Sequence, residues 1–263
     1  MKLDLSRKLA LVTASTEGIG FACARGLASV GAHVIVNGRT PEKVNAVAER
    51  LAREFPDVNV RGITVDLGSK EGVARMLAAV PEVDILVNNL ALISEKPLME
   101  EAEETFVRLF ESNFMSSLRL SRAYLPAMLK KNWGRILFSG SIVSLSVAIT
   151  GAYPITKLAQ LHLARSLAEY TRGTAVTVNT VLIGPTHSAS FDKVIAGMAR
   201  EAGRTIPEAE EFFLQQTHPK SLIGRIANAE EVANLVVYLS TPLASATNGA
   251  VMRVDGGALE AFF

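Results

Sequence analysis

The sequence predicts an α/β fold, a doubly wound parallel sheet with helices on both faces, from three observations. Short β-branched runs alternate with longer helical runs almost from end to end. The strand-like runs are nearly continuously apolar, which suits a sheet buried on both sides. No linker and no repeat interrupts the 263 residues, so a single domain is expected over residues 1–263. Because parallel strands need right-handed helical crossovers, the expected architecture is Rossmann-like.

The pattern predicts seven strands, at residues 9–13, 32–36, 58–65, 84–88, 135–139, 176–182 and 250–254. Helices are expected at residues 18–30, 41–54, 70–79, 153–170 and 229–240, with two more, continuous or broken near Ser112, between 101 and 131. Residues 186–221 are also helical, but no strand follows them promptly. Ligands bind outside the carboxyl ends of such strands, so this segment is interpreted either as a substrate lid or as a plain helical insertion.

Composition and charge argue against several classes of function. Lys and Arg number 27 against 26 Asp and Glu, so neither nucleic acid nor a membrane surface is expected as a partner. The single cysteine, Cys23, lies on an apolar helix face and is expected to be a buried thiol. No apolar run approaches the ~20 residues that span a bilayer. Residues 1–8 lack the apolar core of a signal peptide, and a cytoplasmic location is expected.

The four histidines predict no metal site, because none has a second histidine at ligand spacing with a third ligand nearby. His33 and His162 are expected to be structural. His187, beside Thr186 in the possible lid, stays a candidate for contact with cofactor or substrate.

The turn after the first strand has the glycines of a phosphate-binding site. It reads Thr13-Ala-Ser-Thr-Glu-Gly-Ile-Gly20, without the G-x-G-x-x-G spacing. Gly18 and Gly20 let the backbone approach a phosphate, and the helix that follows offers free amides. Any tight turn between a strand and a helix can also use glycine. Ala14 adds a methyl group, so the backbone there is expected to avoid glycine-only angles.

Tyr153 and Lys157 are four residues apart on a predicted helix, so their side chains share one face. The pKa of a free tyrosine is ~10, and a nearby ammonium is expected to lower it toward neutrality. By itself this spacing is also that of an ordinary amphipathic helix.

An ordered set of motifs resembles the short-chain dehydrogenase/reductase family over nearly the whole chain. The set comprises the turn at 13–20, similar to T-G-x-x-x-G-x-G; Asp66; Asn88-Asn89-Leu90-Ala91, similar to N-N-A-G; Asn113; Ser141; Tyr153-Pro-Ile-Thr-Lys157, matching Y-x-x-x-K; Ile183-Gly184-Pro185-Thr186; and Asp255-Gly256-Gly257. The departures are Ala14, Leu90, Ala91 and Ile183, which remove no reacting group.

The resemblance implies a catalytic set of Asn113, Ser141, Tyr153 and Lys157. Ser141, with Ser139 as the alternative, would hold the substrate oxygen, and Asn113 would anchor a water in a proton relay from Lys157. Cofactor contacts are implied for Tyr153, Lys157, Thr13, Ser15, Thr16, Gly18, Ile19, Gly20, Asn37, Arg39, Asp66, Leu67, Asn89, Gly184 and Thr186. A homotetramer or homodimer is implied, formed through helices near 118–131 and 153–170.

The end of the second strand favours NADP(H) over NAD(H). An NAD-specific site has a carboxylate there, whereas this chain reads Val36-Asn37-Gly38-Arg39-Thr40 with no acid until Glu42. Arg39 can pair with a 2′-phosphate, or it can merely solvate the start of the next helix.

The sequence therefore predicts an NADP(H)-dependent oxidoreductase that acts on a small-molecule carbonyl/alcohol pair, as a ketone or 3-oxoacyl-type reductase. An apolar pocket is expected from Leu92, Ile142, Val143, Phe191, Phe212 and Phe213, although these residues can equally serve packing. The alternatives are an NAD-dependent alcohol dehydrogenase and a non-catalytic NADP(H) sensor.

Overall fold

A computed structural model describes residues 3–94, 96–146 and 151–260 of the chain. Its seven strands form one sheet in the order β3-β2-β1-β4-β5-β6-β7, and every neighbouring pair is parallel. The strands are β1 (Leu9–Val12), β2 (His33–Gly38), β3 (Val60–Thr64), β4 (Ile85–Asn88), β5 (Gly134–Ser141), β6 (Val176–Ile183) and β7 (Val251–Val254). The predicted doubly wound, Rossmann-like fold is confirmed.

Nine α-helices lie within these described residues, mostly as crossovers between strands. They are α1 (Gly18–Ser29), α2 (Pro41–Glu54), α3 (Lys70–Ala79), α4 (Glu103–Leu109), α5 (Ser116–Lys130), α6 (Ala152–Glu169), α7 (Ala189–Ala202), α8 (Ile206–Thr217) and α9 (Ala229–Ser240). None of the described helices is long and apolar enough to cross a membrane.

The two faces of the sheet bury two separate cores, because successive side chains of a strand point to opposite faces. On β1, Val12 joins the cluster that includes α1 and α9, whereas Leu11 joins the cluster that includes α3, α5 and α6. Cys23 lies fully buried in the first cluster, as predicted, and burial raises the pKa of its thiol to about 12. Both faces being buried explains why the strands are apolar without alternation.

The strand order reverses direction between β1 and β4, which opens a crevice at the carboxyl ends of these two strands. The turn at 13–17 leaves β1 there, and the segment that begins at Asn89 leaves β4. This edge of the sheet is therefore where a ligand site is expected.

Helices α4 and α5 are joined without a break by a π-helical turn, Phe110–Met115. The helical run is therefore continuous past Ser112, with a π-helical turn at that point. A π-turn is a local widening of the helix and is frequent at functional sites. Asn113 lies inside it and is completely buried.

Residues 186–221 form a helical hairpin of α7 and α8 rather than part of the layered core. The hairpin has its own small apolar cluster, in which Ile195, Ala199 and Ala209 are buried. Ser188 caps α7, Gly203 ends it with a φ of 62°, and a Thr205 capping box begins α8. Whether this hairpin is a lid stays a prediction.

Candidate active site

The turn between β1 and α1 has the shape of an anion-binding cradle. Gly18 has a φ of 54°, and a Cβ at Gly20 would lie 2.2 Å from the carbonyl oxygen of Ala14. Both positions therefore favour glycine. No side chain caps the amino end of α1, so its first amides and positive dipole end remain available to a phosphate.

Ala14 adopts a left-handed backbone, contrary to the expectation that a methyl group would keep it out of such angles. Its φ is 50°. The amide of Ala14 donates to Asn37 Oδ1 over 3.2 Å, and its carbonyl accepts from Asn89 Nδ2 over 3.2 Å. These two bonds hold the strained conformation in place.

The side chains of Thr13 and Asn89 bond to backbone groups that form the cradle and do not point into it as ligand contacts. Thr13 Oγ1 accepts from the amides of Asn89 and Leu90 over 2.8 and 2.9 Å. Asn89 Nδ2 donates to the carbonyls of Thr13 and Ala14, each over 3.2 Å, and its Oδ1 accepts from Ser139. These bonds join the end of β1 to the end of β4.

Ser15 and Asn37 are likewise occupied within the protein. Ser15 Oγ donates to the Val12 carbonyl over 2.8 Å and accepts from the Asn37 amide over 2.9 Å. Asn37 Nδ2 donates to the carbonyls of Ile63 and Val65 over 3.1 and 3.2 Å. Both side chains are buried and bonded within the protein, so neither is available to a cofactor.

The predicted contacts at the adenosine end differ in their exposure. Arg39 is exposed and has no hydrogen-bond or ion-pair partner in the described part of the chain. The Asp66 carboxylate is also exposed and accepts from the Gly68 amide over 2.9 Å. Leu67 is buried in the core, so its side chain cannot reach a cofactor. Thr16 is partly buried beside Gly38.

The segment after β6 crosses the crevice toward the glycine turn. A Cβ at Gly184 would lie 2.7 Å from the Asp255 Cα, so this position needs glycine. The hydroxyl of Thr186, which is buried, donates to the Gly184 carbonyl over 3.0 Å. Ser188, which the sequence argument missed, is the residue that meets the cradle: its Cβ lies 3.2 Å from the Cβ position of Gly18. Its only sequence signal is that of a helix cap.

Tyr153 and Lys157 share one face of α6, as their spacing predicts. Lys157 is buried, and its Nζ lies 5.8 Å from the centroid of the Tyr153 ring. The ammonium donates to the Ser139 carbonyl over 2.7 Å. The side chain thus crosses from α6 to the end of β5.

The titration of this pair is dominated by burial. Desolvation raises the pKa of Tyr153 to about 12, although a hydrogen bond from the Ser141 hydroxyl acts in the opposite direction. Desolvation lowers the pKa of Lys157 to about 7. The expectation of a lowered tyrosine pKa is therefore wrong for the protein alone, because burial disfavours the phenolate more than its neighbours stabilise it.

The structure distinguishes the two candidate serines. Ser141, at the end of β5, is the serine whose hydroxyl acts to lower the pKa of Tyr153. Ser139 Oγ instead donates to Asn89 Oδ1 over 3.1 Å, and the Ser139 carbonyl accepts from Lys157. Ser141 is thus the serine that faces the tyrosine hydroxyl.

Asn113 connects three segments around the site. Its Oδ1 accepts from the Leu92 amide over 2.7 Å, and its Nδ2 donates to the Leu92 carbonyl and to Thr156 Oγ1 over 2.9 and 3.0 Å. Its own carbonyl accepts from Gln160 Nε2 over 2.6 Å and from Ser117 Oγ over 3.1 Å. These bonds tie the π-helical turn to α6 and to the segment after β4, and the predicted water relay through Asn113 stays a prediction.

Several residues expected to line the pocket pack within the protein. Ile142 is buried with Leu161 and Leu182. The rings of Phe191 and Phe213 pack edge to face with centroids 5.2 Å apart, inside the α7–α8 hairpin. Phe212 lies under the Arg204 guanidinium, 4.0 Å away. Leu92 and Val143 remain partly exposed, and residues 147–150 lie outside the described residues.

The histidines are held by local contacts. His33 Nδ1 accepts from the Asn59 amide over 2.9 Å, and His162 is exposed on α6 beside Ser166. His187 Nδ1 lies 2.9 Å from Asp192. Within the described ranges, no group of three His, Cys, Asp or Glu side chains could hold a metal ion.

A parallel sheet with a glycine turn at its reversal point, beside the partly buried Tyr153 and the buried Lys157, is the arrangement of a dinucleotide-binding oxidoreductase. The sequence profile of the family described as "Enoyl-(Acyl carrier protein) reductase" matches residues 13–258. The chain therefore belongs to the short-chain dehydrogenase/reductase family and is an oxidoreductase.

Known proteins resemble the chain over its full length. It is 42% identical to "Uncharacterized oxidoreductase YvaG" of Bacillus subtilis over all of both chains. It is 31% identical to "3-oxoacyl-[acyl-carrier-protein] reductase FabG" of Aquifex aeolicus over 98% of this chain and 99% of the relative. L-sorbose reductase from Gluconobacter frateurii, solved with NADPH and L-sorbose, superposes with a TM-score of 0.92 at 29% identity over all of both chains.

Proposed function

We propose that this protein is an NADP(H)-dependent carbonyl reductase, which also carries out the reverse oxidation of a secondary alcohol. The observation that carries the proposal is Tyr153, which lies next to Ser141 and the buried Lys157 at the same edge of the sheet as the glycine turn. A non-catalytic sensor has no need of a reacting hydroxyl held in this way.

The residues at this edge fit a dinucleotide. The uncapped amides of α1 and the close-approach positions Gly18 and Gly20 would hold its phosphates, and Gly184 leaves room where a side chain would collide with Asp255. The unpaired guanidinium of Arg39, with no carboxylate at the end of β2, suits a 2′-phosphate. The similar L-sorbose reductase is solved with NADPH. When bound, this cofactor supplies or accepts the hydride.

Tyr153 is the proton donor in the reducing direction. With its pKa raised to about 12, the hydroxyl stays protonated at neutral pH and can donate to the developing alkoxide of the substrate. Ser141 holds the same oxygen by a hydrogen bond. The Lys157 ammonium then stabilises the phenolate that Tyr153 leaves behind, because the two charges lie close together in a site of low dielectric constant.

The substrate class is best supported as a ketone, including 3-oxoacyl compounds. The Aquifex aeolicus relative is a 3-oxoacyl-[acyl-carrier-protein] reductase, and the Gluconobacter frateurii enzyme holds L-sorbose. Phe191 and Phe213 pack on each other, so they do not support the strongly apolar pocket that the sequence predicted. Polar ketones therefore belong in the substrate panel beside acyl thioesters.

The α7–α8 hairpin would act as the substrate lid, and α6 as part of a subunit interface. Ser188 brings the start of the hairpin onto the glycine turn. On α6, the apolar side chains of Ile155 and Leu158 are 39% and 51% exposed. A second subunit would cover them, which supports a homodimer or homotetramer. Light scattering measures the subunit number. A cytoplasmic location stays a prediction.

Substitution of Tyr153 by Phe tests the proposal. We expect turnover to fall by about 10²–10⁴-fold, because the proton donor is lost, while NADPH binding is kept. The measurement is absorbance at 340 nm with NADPH or NADH and a panel of ketones, aldehydes, sugars and acyl thioesters. Fluorescence titration gives the cofactor affinity.

Three outcomes would count against the proposal. Retained turnover in the Tyr153→Phe variant would remove the catalytic assignment. A preference for NADH would favour the alternative NAD-dependent alcohol dehydrogenase. Tight NADPH binding without turnover across the panel would favour the sensor.

A further inference from the structure

A carboxylate stands at the edge of the proposed cofactor site. Glu17 is the residue before Gly18 and precedes the first turn of α1, with 56% of its side chain exposed. A negative charge here occupies the positive end of the helix dipole that a phosphate would also use. An anionic cofactor therefore has to bind beside a fixed charge of its own sign.

Close packing brings three segments together next to this carboxylate. A Cβ at Gly38 would lie 2.6 Å from the methyl carbon of Thr16 and 3.0 Å from a methyl carbon of Val44. The glycine turn, the end of β2 and the first turn of α2 thus meet at Gly38. Arg39 follows that glycine and Lys43 precedes Val44, so two cations border the place where the ribose 2′-position is expected.

These two cations differ in their partners. Lys43 Nζ donates to Glu17 Oε2 over 3.1 Å, and both side chains are more than half exposed. Arg39 has no such partner among the residues that the structure describes. One cation is therefore engaged by the carboxylate, whereas the other is free to meet a phosphate.

We propose that Glu17 and Lys43 tune the cofactor preference in opposite directions: Glu17 disfavours the 2′-phosphate of NADP(H), and Lys43 offsets that charge. The diphosphate is common to NAD(H) and NADP(H), whereas the 2′-hydroxyl of NAD(H) carries no charge, so an effect at the 2′-position is specific to NADP(H). The inference rests on the proposed preference for NADP(H), which Arg39 supports, and adds a second determinant to it. The flexible stem of lysine lets its ammonium remain near either anion.

The test measures dissociation constants of NADPH and NADH by fluorescence titration, in the absence of substrate. At low ionic strength, Glu17→Gln is expected to strengthen NADPH binding by about three- to tenfold, and Lys43→Gln to weaken it by a similar factor. NADH binding should shift in the same direction but by a smaller factor, because NADH has the diphosphate but lacks the 2′-phosphate, so the readout is the ratio of NADPH to NADH affinity. The double variant should return to near the wild-type ratio, since the two charges cancel.

Glu54→Gln is the matched control. Glu54 pairs with Arg25 between the same two helices, but at the last turn of α2, and its loss changes the net charge by the same amount. Its ratio of NADPH to NADH affinity should stay at the wild-type value. Raising the salt concentration should shrink the effects of the Glu17 and Lys43 variants, because ions screen exposed charges.

The outcomes separate this inference from the proposed function. If the wild-type protein prefers NADPH but Glu17→Gln and Lys43→Gln behave like Glu54→Gln, the inference is overturned and the function stands. If the wild-type protein binds NADH as tightly as NADPH, the proposed NADP(H) preference itself fails. Thermal melts of all variants show whether each is folded.

Discussion

The two sides of the candidate site are built differently. On the cofactor side, polar side chains tie the glycine turn into the sheet by bonding to backbone groups of neighbouring segments: Thr13 and Asn37, which are buried, and Asn89, which is partly buried. On the opposite side, α7 and α8 pack mainly on each other around Ile195 and Ala209. The first region belongs to the main cores of the protein, and the second has a small core of its own.

This difference suggests a division of labour. A cradle fixed by satisfied buried polar groups holds its shape, because breaking any of these bonds leaves a desolvated donor or acceptor. A hairpin with few buried contacts outside itself can open locally at a lower cost in free energy. We therefore expect the shared chemistry to lie on the rigid side and, if the hairpin is the proposed lid, the choice of substrate to lie with the hairpin.

The largest expected effect comes from Lys157, at the centre of the rigid side. Lys157→Met should lower turnover by about 10²–10⁴-fold, because the phenolate of Tyr153 loses its stabilising charge. The pKa of Lys157 is lowered from 10.5 to about 7, so between these values the unfolded chain binds the extra proton. The wild-type free energy of unfolding should therefore rise with pH from about 7 to 9, whereas above pH 9 the raised pKa of Cys23 acts in the opposite direction.

The methionine variant should lack this rise and be more stable than the wild type below pH 7, by about 1–4 kcal/mol, since no buried charge remains. Urea unfolding at several pH values measures both effects. Lys130→Met, at an exposed position of α5, is the control and should keep the wild-type slope. An unchanged slope in the Lys157 variant would mean that this lysine is not the buried titrating group.

A matched pair of core truncations tests the comparison directly. Leu86, in β4, and Ile195, in α7, are 0% and 1% exposed, so burial alone predicts equal losses. Leu86→Ala should lower the global free energy of unfolding by about 2–5 kcal/mol. Ile195→Ala should lower it by less than about 1 kcal/mol, because the hairpin can open locally without unfolding the sheet, and this limits how much its core adds to global stability.

Urea denaturation gives the global values, and hydrogen exchange gives the local ones. Amides within 189–217 should exchange faster in the Ile195 variant, while those of the sheet should not change. Equal global losses in the two variants would show that the hairpin and the sheet unfold as one unit, and the division of labour would then fail.

The smallest expected effect concerns the strained backbone of the cradle. Ala14→Gly should raise the free energy of unfolding by about 0.5–1 kcal/mol, because glycine adopts a φ of 50° without penalty, offset in part by its freer unfolded chain. Asn132→Gly is the control. Its φ is 51°, but its side chain accepts from the Ala175 amide, so no gain is expected. A loss of stability in Ala14→Gly would mean that the methyl group packs usefully.

The sequence predicted the cofactor side of the site better than the side formed by the hairpin. Tyr153, Lys157 and Ser141 lie together as their motifs suggested, and Arg39 lies exposed at the end of β2. The contact of Ser188 with Gly18 could not be predicted, because it joins segments 170 residues apart in the chain. The sequence also could not show that Phe191 packs on Phe213 instead of lining a pocket, because apolar residues of a helix can do either.

The sequence by itself determined the alternation of strands and helices, the parallel sheet and the order of its motifs, because these follow from local periodicity and short-range spacing. Only the tertiary structure decided which polar side chains face the crevice. Ser15 and Asn37 carry suitable groups for a cofactor, yet neighbouring strands use those groups completely. It also decided that burial raises the pKa of Tyr153, because desolvation depends on every segment packed around a hydroxyl and not on the lysine four residues away.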